Sequence, residues 1–125
     1  MTRNMLKSKI HRAAVTDADL NYDGSLTVDA ALMEAANMLP HELVQVWNVN
    51  NGERFETYVI TGERNSGTIC VNGSAARRVH RGDLLIIASF TWLDEEVARR
   101  HEPAIVLVDD RNRVRKRNGV SVEAA

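Results

Sequence analysis

The sequence predicts a mainly β fold, closed into a small barrel and carrying one or two short helices. Three observations carry this expectation: six or seven short apolar or alternating segments separated by turn residues, a hairpin signal at Asn50-Asn51-Gly52, and helical periodicity confined to one stretch after Asp29. Closing such strands into a barrel removes exposed edges.

Residues 5–16 mix apolar and basic side chains, with the β-branched Ile10 and Val15, and read as a strand whose odd-numbered face carries Lys9 and His11. Residues 16–24 form a polar, turn-rich loop. Asp29 is placed to cap a short helix through Ala30, Leu32, Met33, Ala35 and Ala36, which Leu39-Pro40 ends. Residues 43–49 and 54–61 alternate on either side of Asn50-Asn51-Gly52, where Asn and Gly accept positive φ. Residues 68–71 form another strand, broken by Asn72-Gly73 before Ser74, Ala75 and Ala76. The apolar runs 84–90 and 104–108 complete the set. Residues 1–110 are expected to form the one domain, and 111–125 a basic, flexible tail.

Composition narrows the function classes. The 125 residues leave room for one domain, and 16 basic against 17 acidic side chains give a net charge of −1, so no global field draws the chain to nucleic acid or anionic membrane. The single cysteine, Cys70, excludes an internal disulfide framework and any CxxC site, which points to the cytoplasm. The longest strongly apolar run, 84–88, is far short of the roughly 20 residues that cross a bilayer, so neither a membrane segment nor a signal peptide is expected. His41, His80 and His101 show no ligand spacing, and no metal site is expected.

The segment 19–26 supports two chemistries. As a calcium loop, Asp19, Asn21 and Asp23 take the first, third and fifth positions, Gly24 the sixth and Leu26 the eighth, but Ala30 stands where the bidentate Glu belongs. The other reading is a rearranging Gly24-Ser25 bond. Gly24 leaves its carbonyl open to approach and can sit at positive φ, so a strained turn can aim the Ser25 hydroxyl at it. A third reading, a nucleic-acid-binding barrel, rests on Arg111, Arg113, Arg115, Lys116 and Arg117, which lack interleaved aromatics.

The motifs Met5-Leu6-Lys7-Ser8-Lys9-Ile10-His11-Arg12, Tyr22-Asp23-Gly24-Ser25, Trp47-Asn48-Val49-Asn50-Asn51-Gly52, Arg54-Phe55-Glu56-Thr57-Tyr58 and Val71-Asn72-Gly73 occur in one order and spacing. In this they resemble the pyruvoyl-dependent aspartate 1-decarboxylase family over residues 1–110. One departure is Ser74, where the family commonly has Ala.

The resemblance implies a double-psi β-barrel, assembled as a homotetramer with active sites between subunits. It implies that Ser25 attacks the Gly24 carbonyl, that the resulting ester eliminates, and that residue 25 becomes a covalent pyruvoyl group with loss of ammonia. Some family members need a separate maturation factor for this. The pyruvoyl carbonyl would then condense with the amine of L-aspartate and accept the electrons released as carbon dioxide leaves, giving β-alanine for pantothenate synthesis. Within this frame Thr57 and Asn72 are the expected oxyanion and carbonyl partners of self-processing. Arg54 and Lys9 would hold substrate carboxylates, with Thr57, Gly73, Ser74 and Ala75 lining the same site. Tyr58 would return the proton after carbon dioxide departs. Tyr22, through its hydroxyl, and His11 are secondary candidates, whereas Trp47 and Cys70 read as packing.

Overall fold

The computed structural model describes residues 1–122. Its first strand, β1 (Thr2–Ala14), is two residues short of β2 (Asp17–Asp19), and the pair behaves as one bent run. The bend has a local cause: Arg12 takes φ 64 where the β1 ladder slips between Ile10 and Ala13. That bulge breaks the odd-face alternation, so Ser8, Ile10 and Ala13 point inward while Lys9 and His11 lie half-buried on the opposite face.

β3 (Ser25–Asp29) enters α1 (Ala30–Ala35), and β4 (Leu43–Asn48) turns through Gly52, at φ 76, into β5 (Arg54–Gly62). β6 (Ile69–Asn72) runs into a 3₁₀ turn over Gly73–Arg78, and β7 (Leu84–Asp94) into α2 (Glu95–Arg100). β8 (Ala104–Val108), β9 (Val114–Arg117) and β10 (Val120–Ser121) follow. The cap expected at Asp29 is present, and it does more than start a helix. One carboxylate oxygen accepts from Ala31 N at 2.8 Å and Asn65 N at 2.9 Å, and the other from Gly67 N at 2.9 Å. One side chain thus satisfies amide donors at the start of α1 and in the loop between β5 and β6.

Pairings run β1 with β7, β7 with β4, β4 with β5, β5 with β3, β3 with β6 and β6 with β2. Because β2 continues β1, the ring closes. The β3–β5 and β2–β6 pairs are parallel and the others antiparallel, which is the crossed chain path of a double-psi β-barrel. Ile10, Leu26, Val28, Val46, Val59, Ile69, Val71, Leu85 and Ile87 fill it at 0% exposure. In β3, β4 and β6 alternate residues supply this core, so those between them are left to face outward.

The segment expected as a flexible tail is corrected within the described residues. β9 pairs with β8 and β10 with β9, Asn112 is 2% exposed, and its side chain bridges Ala14 O and Gly67 O at 2.8 Å each. Arg117 Nε also donates to Ala35 O at 2.8 Å, closing the end of α1. Residues 123–125 of that expected tail lie outside the described residues.

Two carboxylates tie loops to this barrel and make part of its stability sensitive to acid. Burial pulls the Glu42 pKa upward, but bonds from Ser89, Lys7 and Leu39 outweigh it and hold the carboxyl below its usual 4.5. The Asn48 amide at 2.9 Å is the largest influence on Asp83 and holds it below 3.8. Folded pKa values below the unfolded ones mean stability that is complete above the unfolded values and lost as pH falls through the folded ones. Thermal melts should therefore be level above about pH 5 and fall steeply below about pH 4. Glu42→Gln should flatten part of that fall, and an unchanged slope would remove Glu42 from the account.

Candidate active site

β3 and β6 present a second, polar face opposite the core. Leu26 and Val28 point inward, as do Ile69 and Val71, so Ser25, Thr27, Cys70 and Asn72 share the outer side. Register places Ser25 opposite Asn72 and Thr27 opposite Cys70. The four side chains form a connected group. Asn72 Nδ2 donates to Ser25 Oγ and to Thr27 Oγ1, each at 3.0 Å, while Asn72 Oδ1 accepts from Cys70 Sγ at 3.2 Å. The Ser25 hydroxyl donates to Asp23 O at 3.2 Å. Ser25 is 2% and Asn72 4% exposed, so these bonds are sheltered from water.

Asn72 sits where a helix cap would, immediately before the 3₁₀ turn, yet its side chain makes no capping bond. Its amide is committed to Ser25 and Thr27 instead.

The left-handed backbone expected at Gly24 is found at Gly73, at φ 76. A Cβ on Gly73 would lie 2.7 Å from Gly24 Cα, 2.9 Å from Gly24 N and 3.2 Å from Tyr22 O, whereas one on Gly24 would meet nothing within 4 Å. Gly73 therefore packs directly on the Gly24 backbone. Tyr22 contributes through its main chain, since its side chain is exposed.

The parallel β3–β5 pairing begins at Leu26 with Val59, so Tyr58 and Thr57 immediately precede it on β5 as Ser25 and Gly24 do on the other strand, and Tyr58, next to the inward Val59, belongs to the outer face. Tyr58 is partly exposed, and its ring centroid lies 6.1 Å from that of His41. Arg54 lies four residues back along β5, roughly 13 Å of strand, with its guanidinium 4.6 Å over Trp47. Lys9 is further away. Its outer-face row runs Lys9, Ala88, Gln45, Glu56, across β1, β7, β4 and β5. His11 is on the same side with Nδ1 buried and unpartnered among the described residues, and burial, then Lys9 and Arg12, hold its imidazole below the usual pKa. Ser74 and Ala75 follow Gly73 in the 3₁₀ turn, Ser74 exposed and Ala75 against the core.

One chain thus brings together Gly24, Ser25, Asn72 and Gly73, has Tyr58 and Thr57 just ahead of the β3–β5 pairing, and leaves Lys9 and Arg54 elsewhere on the outer surface. Thr27 and Cys70 were missed as parts of this group. Their signal was present, because strand residues two apart share a face, and Thr27 stands two from Ser25 as Cys70 does from Asn72. The calcium loop lacks its frame: the strand β2 leads into it, and Asp19 Oδ1 accepts from Asn21 N at 3.0 Å. Among the described residues, no three His, Cys, Asp or Glu side chains are grouped to hold a metal ion, and no helix is long and apolar enough to cross a membrane.

Fold and site together define a small closed β-barrel with a sheltered, hydrogen-bonded serine at the junction of an exposed loop and a barrel strand. The sequence profile described as "Aspartate decarboxylase" matches residues 1–115. The chain is 61% identical to the aspartate 1-decarboxylase of Syntrophus aciditrophicus, over 92% of this chain and 99% of that one. It is 58% identical to the enzyme of the same name from Thermoanaerobacter pseudethanolicus, over 90% and 97%. Among solved structures it is similar to a rationally designed protein, with a TM-score of 0.47 and 14% identity over 63% of this chain and 91% of that one. The chain belongs to the aspartate decarboxylase family.

Proposed function

We propose that this protein removes the α-carboxylate of L-aspartate, giving β-alanine and carbon dioxide for pantothenate synthesis, after cutting its own Gly24–Ser25 bond. The observation that carries the reading is the Ser25 hydroxyl: buried at that bond, held by Asn72, with Gly73 packed on Gly24. Relatives at 58–61% identity named for the same activity support it.

In the self-processing step, Ser25 Oγ bonds to the Gly24 carbonyl carbon as the Gly24–Ser25 C–N bond breaks, leaving an ester and a free amine on Ser25. Elimination then releases the residue 1–24 carboxylate, and water replaces the nitrogen, which leaves as ammonia. Two chains result, residues 1–24 and a chain beginning at position 25 with a pyruvoyl group. Negative charge grows on the Gly24 carbonyl oxygen during attack, so a donor fixed beforehand lowers the barrier. Thr57, which precedes the first β3–β5 pair by two residues on β5 as Gly24 does on its own strand, is the residue for that position, and Asn72 steadies the attacking oxygen.

The residues fit a group made in place, since the residue to be converted, Ser25, is already held in the polar quartet. The pyruvoyl group supplies an electron-accepting carbonyl for loss of carbon dioxide. Tyr58, on the same face as residue 25, is the proton donor to the product carbon. Arg54 and Lys9 are the cations for the two substrate carboxylates. Since one chain leaves them distant from Ser25, a homotetramer with sites between subunits is the assembly that completes the site. The outer sheet supports it, with Leu43 61% and Trp92 68% exposed around a cleft of about 240 Å³. The cytoplasm is the proposed location.

Intact mass spectrometry of freshly purified, warmed protein tests the reading. Two chains split after Gly24, the larger lighter by one ammonia than a serine-started chain, together with carbon dioxide released from L-aspartate, are expected. A chain that remains whole, also after addition of a maturation factor, would overturn it.

A further inference from the structure

We propose that Cys70 is a positioning residue for the self-cleavage, holding the Asn72 amide in the orientation that gives its N–H to Ser25; this rests on the reading above.

An amide has two ends of almost equal size, so its partners decide which end faces where. The bonds around Asn72 run in one direction. The Cys70 thiol donates to Asn72 Oδ1, Asn72 Nδ2 donates to Ser25 Oγ, and the Ser25 hydroxyl donates onward to Asp23 O. Turning the amide over would set its NH₂ against sulfur, a weak acceptor, and its oxygen against Ser25, whose proton would have to leave Asp23 O. Thr27 does not choose between the two states, because a hydroxyl donates or accepts equally well. Of the groups bonded to the amide, the thiol is therefore the partner outside the reacting segment that favours one orientation.

The surroundings keep the thiol a donor. β2 pairs Asp17 with Cys70 and Asp19 with Asn72. Burial, then Asp17 and Asp19, push the Cys70 thiol above its ordinary pKa of 9.0, so it retains its proton at neutral pH. A reversed amide would point a carbonyl oxygen at Ser25, and the N–H that fixes the position of the attacking oxygen would be gone.

The test compares newly synthesised wild-type, Cys70→Ala and Cys70→Ser chains, following conversion to two chains by intact mass and folding by thermal melting. Cys70→Ala should cleave roughly three- to tenfold more slowly, the rate equivalent of one neutral hydrogen bond. Cys70→Ser restores a donor at the same place and should cleave within about twofold of wild type, a rescue that loss of packing would not produce. Cleavage of Cys70→Ala at the wild-type rate, or of Cys70→Ser as slowly as Cys70→Ala, overturns the assignment while leaving the function intact. A wild-type chain that stays whole overturns both.

Discussion

Ser25→Ala is expected to yield a single uncut chain that releases no carbon dioxide from L-aspartate. The substitution removes one oxygen, which is both the nucleophile for the chain break and, once acylated, the leaving atom whose elimination lets the residue 25 α-carbon become the electron-accepting carbonyl. The loss should be complete rather than graded, since no neighbour can supply that group at position 25. The fold should survive. Ser25 is 2% exposed, so Ala leaves only the volume of a hydroxyl, and Asn72 Nδ2 keeps its bond to Thr27. About 1–2 kcal/mol of stability should go with the lost hydrogen bonds, read as a small fall in Tm. A folded Ser25→Ala chain that is still cut after residue 24, or that turns over L-aspartate, would refute the assignment of Ser25.

Gly73→Ala should stall the same cleavage in a protein that otherwise folds. The new methyl group would stand 2.7 Å from Gly24 Cα and 2.9 Å from Gly24 N, and those are backbone atoms that cannot swing aside as a side-chain tip would. Its φ of 76 adds roughly 1–2 kcal/mol for a residue carrying Cβ. Gly24 must shift, and misplacement of reacting atoms by about 1 Å costs on the order of 100-fold in rate. Gly24→Ala is the control, because a Cβ there meets nothing within 4 Å. Cleavage should be markedly faster in Gly24→Ala than in Gly73→Ala. The reverse order would show that the glycine requirement lies at the cleaved bond itself and not in the residue packed on it.

The two glycines differ in what the sequence makes visible. Gly24 precedes Ser25, and local sequence offers it the freedom of φ. The close approach that requires a glycine belongs to Gly73, 49 positions later, and arises from the β3–β6 pairing. Cys70 was read as packing for the same reason. Its partner Asn72 is two residues away, but the purpose of that bond is visible only once Ser25 lies opposite Asn72. The segment from Arg111 reads as a basic, flexible tail because its anchors, Ala14, Ala35 and Gly67, are remote in sequence.

Local chemistry by itself determined the strands whose apolar residues alternate, the turn at Asn50-Asn51-Gly52, the cap at Asp29 and, through motif order, the family. These depend on neighbours within a few residues, where period and turn propensity act directly. Only the tertiary structure decided which polar residues share the face behind Ser25, which glycine carries the steric constraint, and that Lys9 and Arg54 lie away from the serine within one chain. Those are consequences of strand register and barrel closure, which join residues distant in the chain and which no local preference encodes.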